Sequence, residues 1–300
     1  MSTPDPTGAA PTAVPVCYRH PGRETYIRCA RCDRPICPDC MISAAVGFQC
    51  PECVAEGRAA VPEVRTRLGA RTISRPYVTL TLIALNVVLF GLQTLSRTDP
   101  TTGLDQITSD YGQWPVGVAL HNEYYRLVTS MFLHASLWHI GFNMLVLWML
   151  GPQLEQVLGH VRFTVLYLVA GIGGSVASFW FSSPDIVGIG ASGAIFGLMG
   201  AYVVVGRALR ADISQVVGLI ALNVVIGFVM GGIDWRAHLG GLATGAVVAA
   251  IVAFAPAGHR IVVQVTGVAL VVAALCVLVV VRDTALTAEL VRLGITSAQA

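Results

Sequence analysis

From Tyr77 onward, long uncharged apolar stretches alternate with short polar junctions. Tyr77–Leu95 is the first. A second lies between Arg126 and Glu155, its membrane-length part covering 136–154, and a third covers 163–181. The run 186–206 is bounded by Asp185 and Arg207, and 213–233 by Asp212 and Asp234. Residues 237–256 follow Arg236, and 261–281 end the series. A hydrocarbon core about 30 Å thick takes roughly 20 apolar residues of helix to cross, so the pattern predicts seven transmembrane helices. That number of runs excludes the buried helices of a soluble protein, and the short alternating segments of a barrel are missing.

The junctions set an orientation. Arg65, Arg67, Arg71 and Arg75 crowd the start of the first span, and only Arg97 stands just beyond its end. The positive-inside rule therefore places the N-terminus in the cytosol, with Arg162, Arg207, Arg210 and Arg260 on the same side. The 96–135 loop, whose Trp114, Tyr124 and Tyr125 suit a membrane interface, is then external, as is the tail 282–300. Residues 1–15, rich in Pro, Thr and Ala, lack the apolar core of a secretory signal and read as a disordered leader. Residues 55–76 read as a polar linker. Composition adds only a class: of 300 residues 55% are hydrophobic and 12% charged, as in an integral, multi-pass cell-membrane protein whose first partner is the bilayer. The net charge of +2, without a long basic run, gives no reason to expect nucleic acid.

Polar groups inside a membrane are costly, and several converge here. Ser192, in Gly190-Ala191-Ser192-Gly193, falls just inside the start of the fourth span, where free backbone N–H groups suit an oxyanion. His238 stands just inside the outer end of the sixth span, at the same level. A serine hydroxyl becomes a competent nucleophile when a neutral imidazole takes its proton, so the two form a candidate catalytic dyad. Gly241 and Gly245 give the histidine's helix a small-residue face whose mate would be Gly193 and Gly197. His139 and Asn143, four residues apart on one helical face, are donors that would surround a tetrahedral oxyanion together with the Ser192 N–H. His134 is read as a brace for the external loop. A zinc ion on His134, His139 and His238 is the competing arrangement, but HExxH spacing is absent and no carboxylate lies at that depth. A transporter would want ionisable residues near mid-membrane, and the spans contain almost none.

In order, spacing and span assignment, Tyr125-Arg126, His134, His139, Asn143, the Gly-Ala-Ser-Gly segment and Ala237-His238 with Gly241 and Gly245 resemble the motif series of rhomboid intramembrane serine proteases. The resemblance covers about 77–256. It implies an all-α polytopic fold with a six-helix protease core over 77–256 and a seventh transmembrane helix within 257–300. It also implies a Ser-His dyad without Asp, no catalytic cofactor, and cleavage of single-span membrane proteins at an unwound stretch reached by water from the outer face. Tyr125 replaces the usual tryptophan before Arg126, and Phe196 stands where many members stack a tyrosine on the catalytic histidine. Glu155 has a family counterpart with a structural role. The alternative is a proteolytically inactive relative that binds membrane clients as an adaptor, against which both dyad members are present.

Seven of the eight cysteines lie between Cys17 and Cys53. Cys17-x-x-His20, Cys29-x-x-Cys32, Cys37-x-x-Cys40 and Cys50-x-x-Cys53 offer eight ligands in regular pairs. In a reducing cytosol such clusters read as metal ligands rather than disulfides. Tetrahedral zinc takes four, so two structural zinc ions are expected within 16–54. The module resembles the B-box zinc fingers. Their interleaved pairing would put Cys17, His20, Cys37 and Cys40 on one ion and Cys29, Cys32, Cys50 and Cys53 on the other. Its role is either to meet a protein partner or to be a fold in its own right.

Overall fold

The computed structural model describes residues 14–61, 64–229 and 232–295. The leader expected over 1–15 lies, as far as residue 13, outside them. The chain forms two compact units, Met1–Val64 and Arg65–Ala300.

In the first unit β1 (Val16–Cys17) pairs antiparallel with β2 (His20–Glu24), β3 (Ile42–Ser43) pairs antiparallel with β4 (Phe48–Gln49), and α1 (Pro51–Ala60) follows. Sheets of two short strands are not stable alone. The interior is made instead of six buried cysteines around the fully buried Ile36, so the residues expected as ligands are themselves the core.

The second unit is helical. After α2 (Tyr77–Leu95), the 96–135 loop holds three short helices, α3 (Gln106–Tyr111), α4 (Pro115–His121) and α5 (Arg126–Thr129). Then come α6 (Leu137–Leu158), α7 (His160–Phe181), α8 (Ser192–Leu209), α9 (Ser214–Val229), α10 (Trp235–Ala253) and α11 (Arg260–Arg292). Among the described residues five helices are long and apolar enough to cross a membrane, or six if the stretch Arg126–Phe132 and α6, bent by 90°, make one broken span. α9, with 16 residues, is apolar but only about 24 Å long. The chain is an integral membrane protein built on these helices. α7 and α8 are 67% and 61% buried against 11% for the segment containing α11, so the former pair is the centre of the bundle and α11 lies at its rim.

Two expected boundaries move. The apolar run from 186 is not helical until Ser192. Gly188 exchanges both backbone hydrogen bonds with Gln113 (2.9 Å each), and the Gly190 N–H donates to the Ser130 carbonyl (2.9 Å). At the other end, α11 runs to Arg292, so the stretch after 281, expected as tail, is largely helix. Leu286 and Leu290, one turn apart, are buried there against Val116, Val118 and Ala119 of α4.

One carboxylate fastens the first span. Pro76 precedes α2 and has no side chain with which to cap it. The fully buried Glu155 of α6 accepts instead from Val78 N (2.9 Å), Thr79 N (2.8 Å) and Thr79 Oγ1 (2.6 Å), and pairs with His160 Nδ1 (2.5 Å). A negative group at a helix N-terminus satisfies free N–H donors and the helix dipole together, so Glu155 has a structural role.

Candidate active site and metal centres

Ser192 is the first residue of α8, and the first-turn N–H groups of that helix have no intrahelical acceptor. His238 lies in the first turn of α10. The two helices approach backbone to backbone: a Cβ on Gly241 would collide with the Gly193 carbonyl, and one on Gly245 with that of Gly197. Phe196, one turn beyond Ser192 on the same face, stacks on the His238 imidazole at 4.2 Å between centroids and 10° between planes. The His238 Nδ1 is buried without a hydrogen-bond partner among the described residues and lies on the side of Gly227 in α9.

Asp234 starts α10, accepting from the N–H groups of Arg236 (3.1 Å) and Ala237 (3.2 Å). The Ser178 hydroxyl of α7 also donates to it. This carboxylate fixes the turn that carries His238. The charge pattern alone gives Asp234 no role beyond a span boundary, although an aspartate immediately before a helical run is a capping signal. Gln113 also went unassigned: besides pairing with Gly188 it donates from Nε2 to the Ser175 carbonyl (2.8 Å), and nothing in its own neighbourhood announces that.

His139 approaches from α6. Its Nδ1 accepts from the Ala135 backbone N–H (3.3 Å), so the neutral ring carries its proton on Nε2. That Nε2 lies 2.8 Å from where a Cβ on Gly190 would stand, a position itself 3.5 Å from Ser192 Oγ. Gly190, at φ +136°, is therefore glycine for both conformation and space. Asn143, one turn further along α6, is buried, and its Nδ2 donor is unpaired among the described residues. His134 is buried edge-on to His139 (5.0 Å) and Phe90 (6.5 Å). Its backbone is latched by Gln93, whose Oε1 accepts from His134 N (3.0 Å). Among the described residues, His134, His139 and His238 do not gather into a metal-binding group.

The loop that covers this end is pinned by Arg126. Its buried guanidinium donates to Glu123 Oε2 (2.6 Å) and to the carbonyls of Ser109 (2.7 Å) and Gly112 (2.9 Å). Tyr125 stays exposed, its hydroxyl donating to the Asp110 carbonyl (3.2 Å).

In the first unit the ligand atoms of Cys17, His20, Cys37 and Cys40 lie within 4.8 Å of one another, as do those of Cys29, Cys32, Cys50 and Cys53. These are the interleaved sets. Burial opposes ionisation of Cys17 and Cys29, but backbone N–H groups, of Cys37 and Arg19 for the first and of Cys50 and Arg31 for the second, bring both thiols down to about 6. Burial, reinforced by the neighbouring thiols, pushes Cys40 up to about 11 and Cys53 up to about 12. Each set is a compact, largely buried group of soft donors that could hold a metal ion.

Residues 121–255 match the family model of the rhomboid domain. The chain is 35% identical over 189 residues to the rhomboid protease GluP of Bacillus subtilis, a match covering 61% of this chain and 36% of GluP. With the putative rhomboid protease YdcA of the same organism it shares 34% over 181 residues, 58% of this chain and 88% of the relative. With RHOMBOID-like protein 1 of Arabidopsis thaliana it shares 35% over 165 residues, 52% of this chain and 42% of the relative. It thus spans about a third of the length of GluP and under half of the plant protein, but nearly all of YdcA. An α8–α10 contact with Ser192, Phe196 and His238 on it, inside a domain matched over most of a relative's length, makes the chain a member of the rhomboid family.

Proposed function

We propose that the protein is an intramembrane serine endopeptidase that cleaves transmembrane segments of single-span membrane proteins. Ser192 is the nucleophile and His238 the base. The observation that carries this reading is the stack of Phe196 on His238, one helical turn from Ser192 on the same α8 face. Ser192 Oγ attacks the scissile carbonyl while His238 takes its proton, through Nε2 because Nδ1 faces α9. The oxyanion is held by the Ser192 backbone N–H, His139 Nε2–H and Asn143 Nδ2. His238 then returns the proton to the leaving amine, and water, activated by the same histidine, releases the acyl group. On the charge pattern of the junctions, the N-terminus is cytosolic and the site opens to the outer face.

The test is cleavage of a single-span substrate by protein reconstituted in vesicles. Ser192→Ala and His238→Ala each abolish it, the double variant is no worse, and a serine-directed phosphonate labels the wild type alone. Wild-type rates in Ser192→Ala without labelling would remove the serine mechanism.

The N-terminal module, in the same reading, binds two zinc ions. Each donor set is thiolate-rich with four ligands and no position left for water, which suits a structural rather than a catalytic ion.

A further inference from the structure

A groove lies between α7, α10 and α11. Val161 and Val165 of α7, Val248 and Val252 of α10, and Ile261 and Val268 of α11 line its volume of about 440 Å³. Arg162 stands on its wall, and Arg260, just before Ile261, opens α11. Ser192 and His238 belong to the other end of the bundle: the α7 residue tied to the start of α10 is Ser178, over four turns from Arg162.

The two arginines converge on one turn of backbone. Arg162 Nη1 donates to the Leu68 carbonyl (3.1 Å). The Arg260 guanidinium lies against Gly69, where a Cβ would collide with it, and whose φ of +76° favours glycine in any case. Arg65 Nη1 donates to the Gly69 carbonyl (3.3 Å), which helps to fix the same dipeptide. Among the described residues no carboxylate pairs with Arg162 or Arg260. Glu155, the acid at this end of α6, is taken up by Val78, Thr79 and His160. Among the described residues the buried Arg260 Nε has no acceptor.

The like charges of Arg162 and Arg260, held together with one unsatisfied donor, are unfavourable unless an anion completes them. A phosphate fits the planar fork of guanidinium and offers several acceptor oxygens. The apolar groove beside them selects a phosphate that carries hydrocarbon, since basic pockets between membrane helices take anionic headgroups while their tails stay in the apolar layer. We propose that Arg162 and Arg260 bind the phosphate of an anionic phospholipid whose acyl chain lies in the groove between α7, α10 and α11.

The test uses the full chain, reconstituted in phosphatidylcholine nanodiscs containing phosphatidylglycerol, then released and weighed by native mass spectrometry. The wild type is expected to retain phosphatidylglycerol in preference to phosphatidylcholine. The double variant R162Q/R260Q should lose about thirtyfold of that preference, from the loss of two charges at the membrane surface. A269F leaves both arginines in place but fills the groove that Ala269 lines. It should also lose the lipid, and it decides the question if the arginine variant does not fold. Equal retention by wild type and A269F would overturn the proposal, as would displacement of the lipid by millimolar inorganic phosphate, which would mark a headgroup site without a groove.

Discussion

Asn143 presents a buried amide donor with no protein acceptor, a state that costs about 1–3 kcal/mol in an ordinary interior. A group that is unsatisfied at rest and satisfied by an oxyanion spends its hydrogen bond only in the transition state. Asn143→Ala is therefore expected to lower kcat by about 10²-fold and to leave KM nearly unchanged; a rise in KM alone would mean that Asn143 binds substrate rather than the oxyanion. The aromatic beside His238 makes a different demand. Phe196 has no hydroxyl to offer, so its contribution is the stacked face at 4.2 Å that holds the imidazole in one orientation. Phe196→Tyr should keep activity while Phe196→Ala should lower kcat. Equal loss in both would show that shape at the ring edge, not stacking, is what matters. Ser192, His139 and Asn143 stand out as candidates in the sequence because each is a polar residue where the surrounding pattern is apolar. Asp234 was not read, because a carboxylate between two spans looks like a boundary charge until Ser178 is seen to donate to it.

Helices α8 and α10 meet through glycines, so their separation is set by backbone rather than by side chains. Gly245→Leu puts a branched side chain against the Gly197 carbonyl, and overpacking of this kind costs about 1–3 kcal/mol. The variant should melt lower in detergent and lose cleavage, whereas Gly91→Ala in α2, which meets open space, should do neither. A Gly245→Leu protein with wild-type melting and turnover would show that the helix pair tolerates separation. Helix boundaries were legible where polarity changes at the helix end: α2 begins and ends as the uncharged run does. They failed where the decision is made elsewhere. Residues 186–191 are apolar enough for helix, yet their backbone is bound by Gln113 and Ser130, more than fifty residues away. α11 continues past its apolar run because Leu286 and Leu290, at helical spacing, find α4 to pack on.

At the scale of the whole chain, the two compact units follow different stability rules. The first has cysteines for a core, so on the proposed reading its folding free energy would come largely from bound metal. The second has an extensive apolar core of its own. Two zinc ions per full-length chain are therefore expected, and none in a version beginning at residue 65, which should still cleave a transmembrane substrate in detergent. Chelation should unfold residues 17–53 and leave the helical signal of the second unit intact. The sign of the pH effect follows from the thiols. At pH 7 Cys40, near 11, and Cys53, near 12, hold their protons without metal, while Cys17 and Cys29, near 6, have mostly released theirs. Zinc must displace at least the first two protons, so its affinity should rise with pH, and uptake at pH 7 should acidify a weakly buffered solution. Metal analysis of full-length and truncated protein, with a pH electrode during titration, reads all of this. Zinc retained by the truncated chain, with cleavage lost to chelators, would contradict the serine assignment and return attention to His134, His139 and His238 as a metal site.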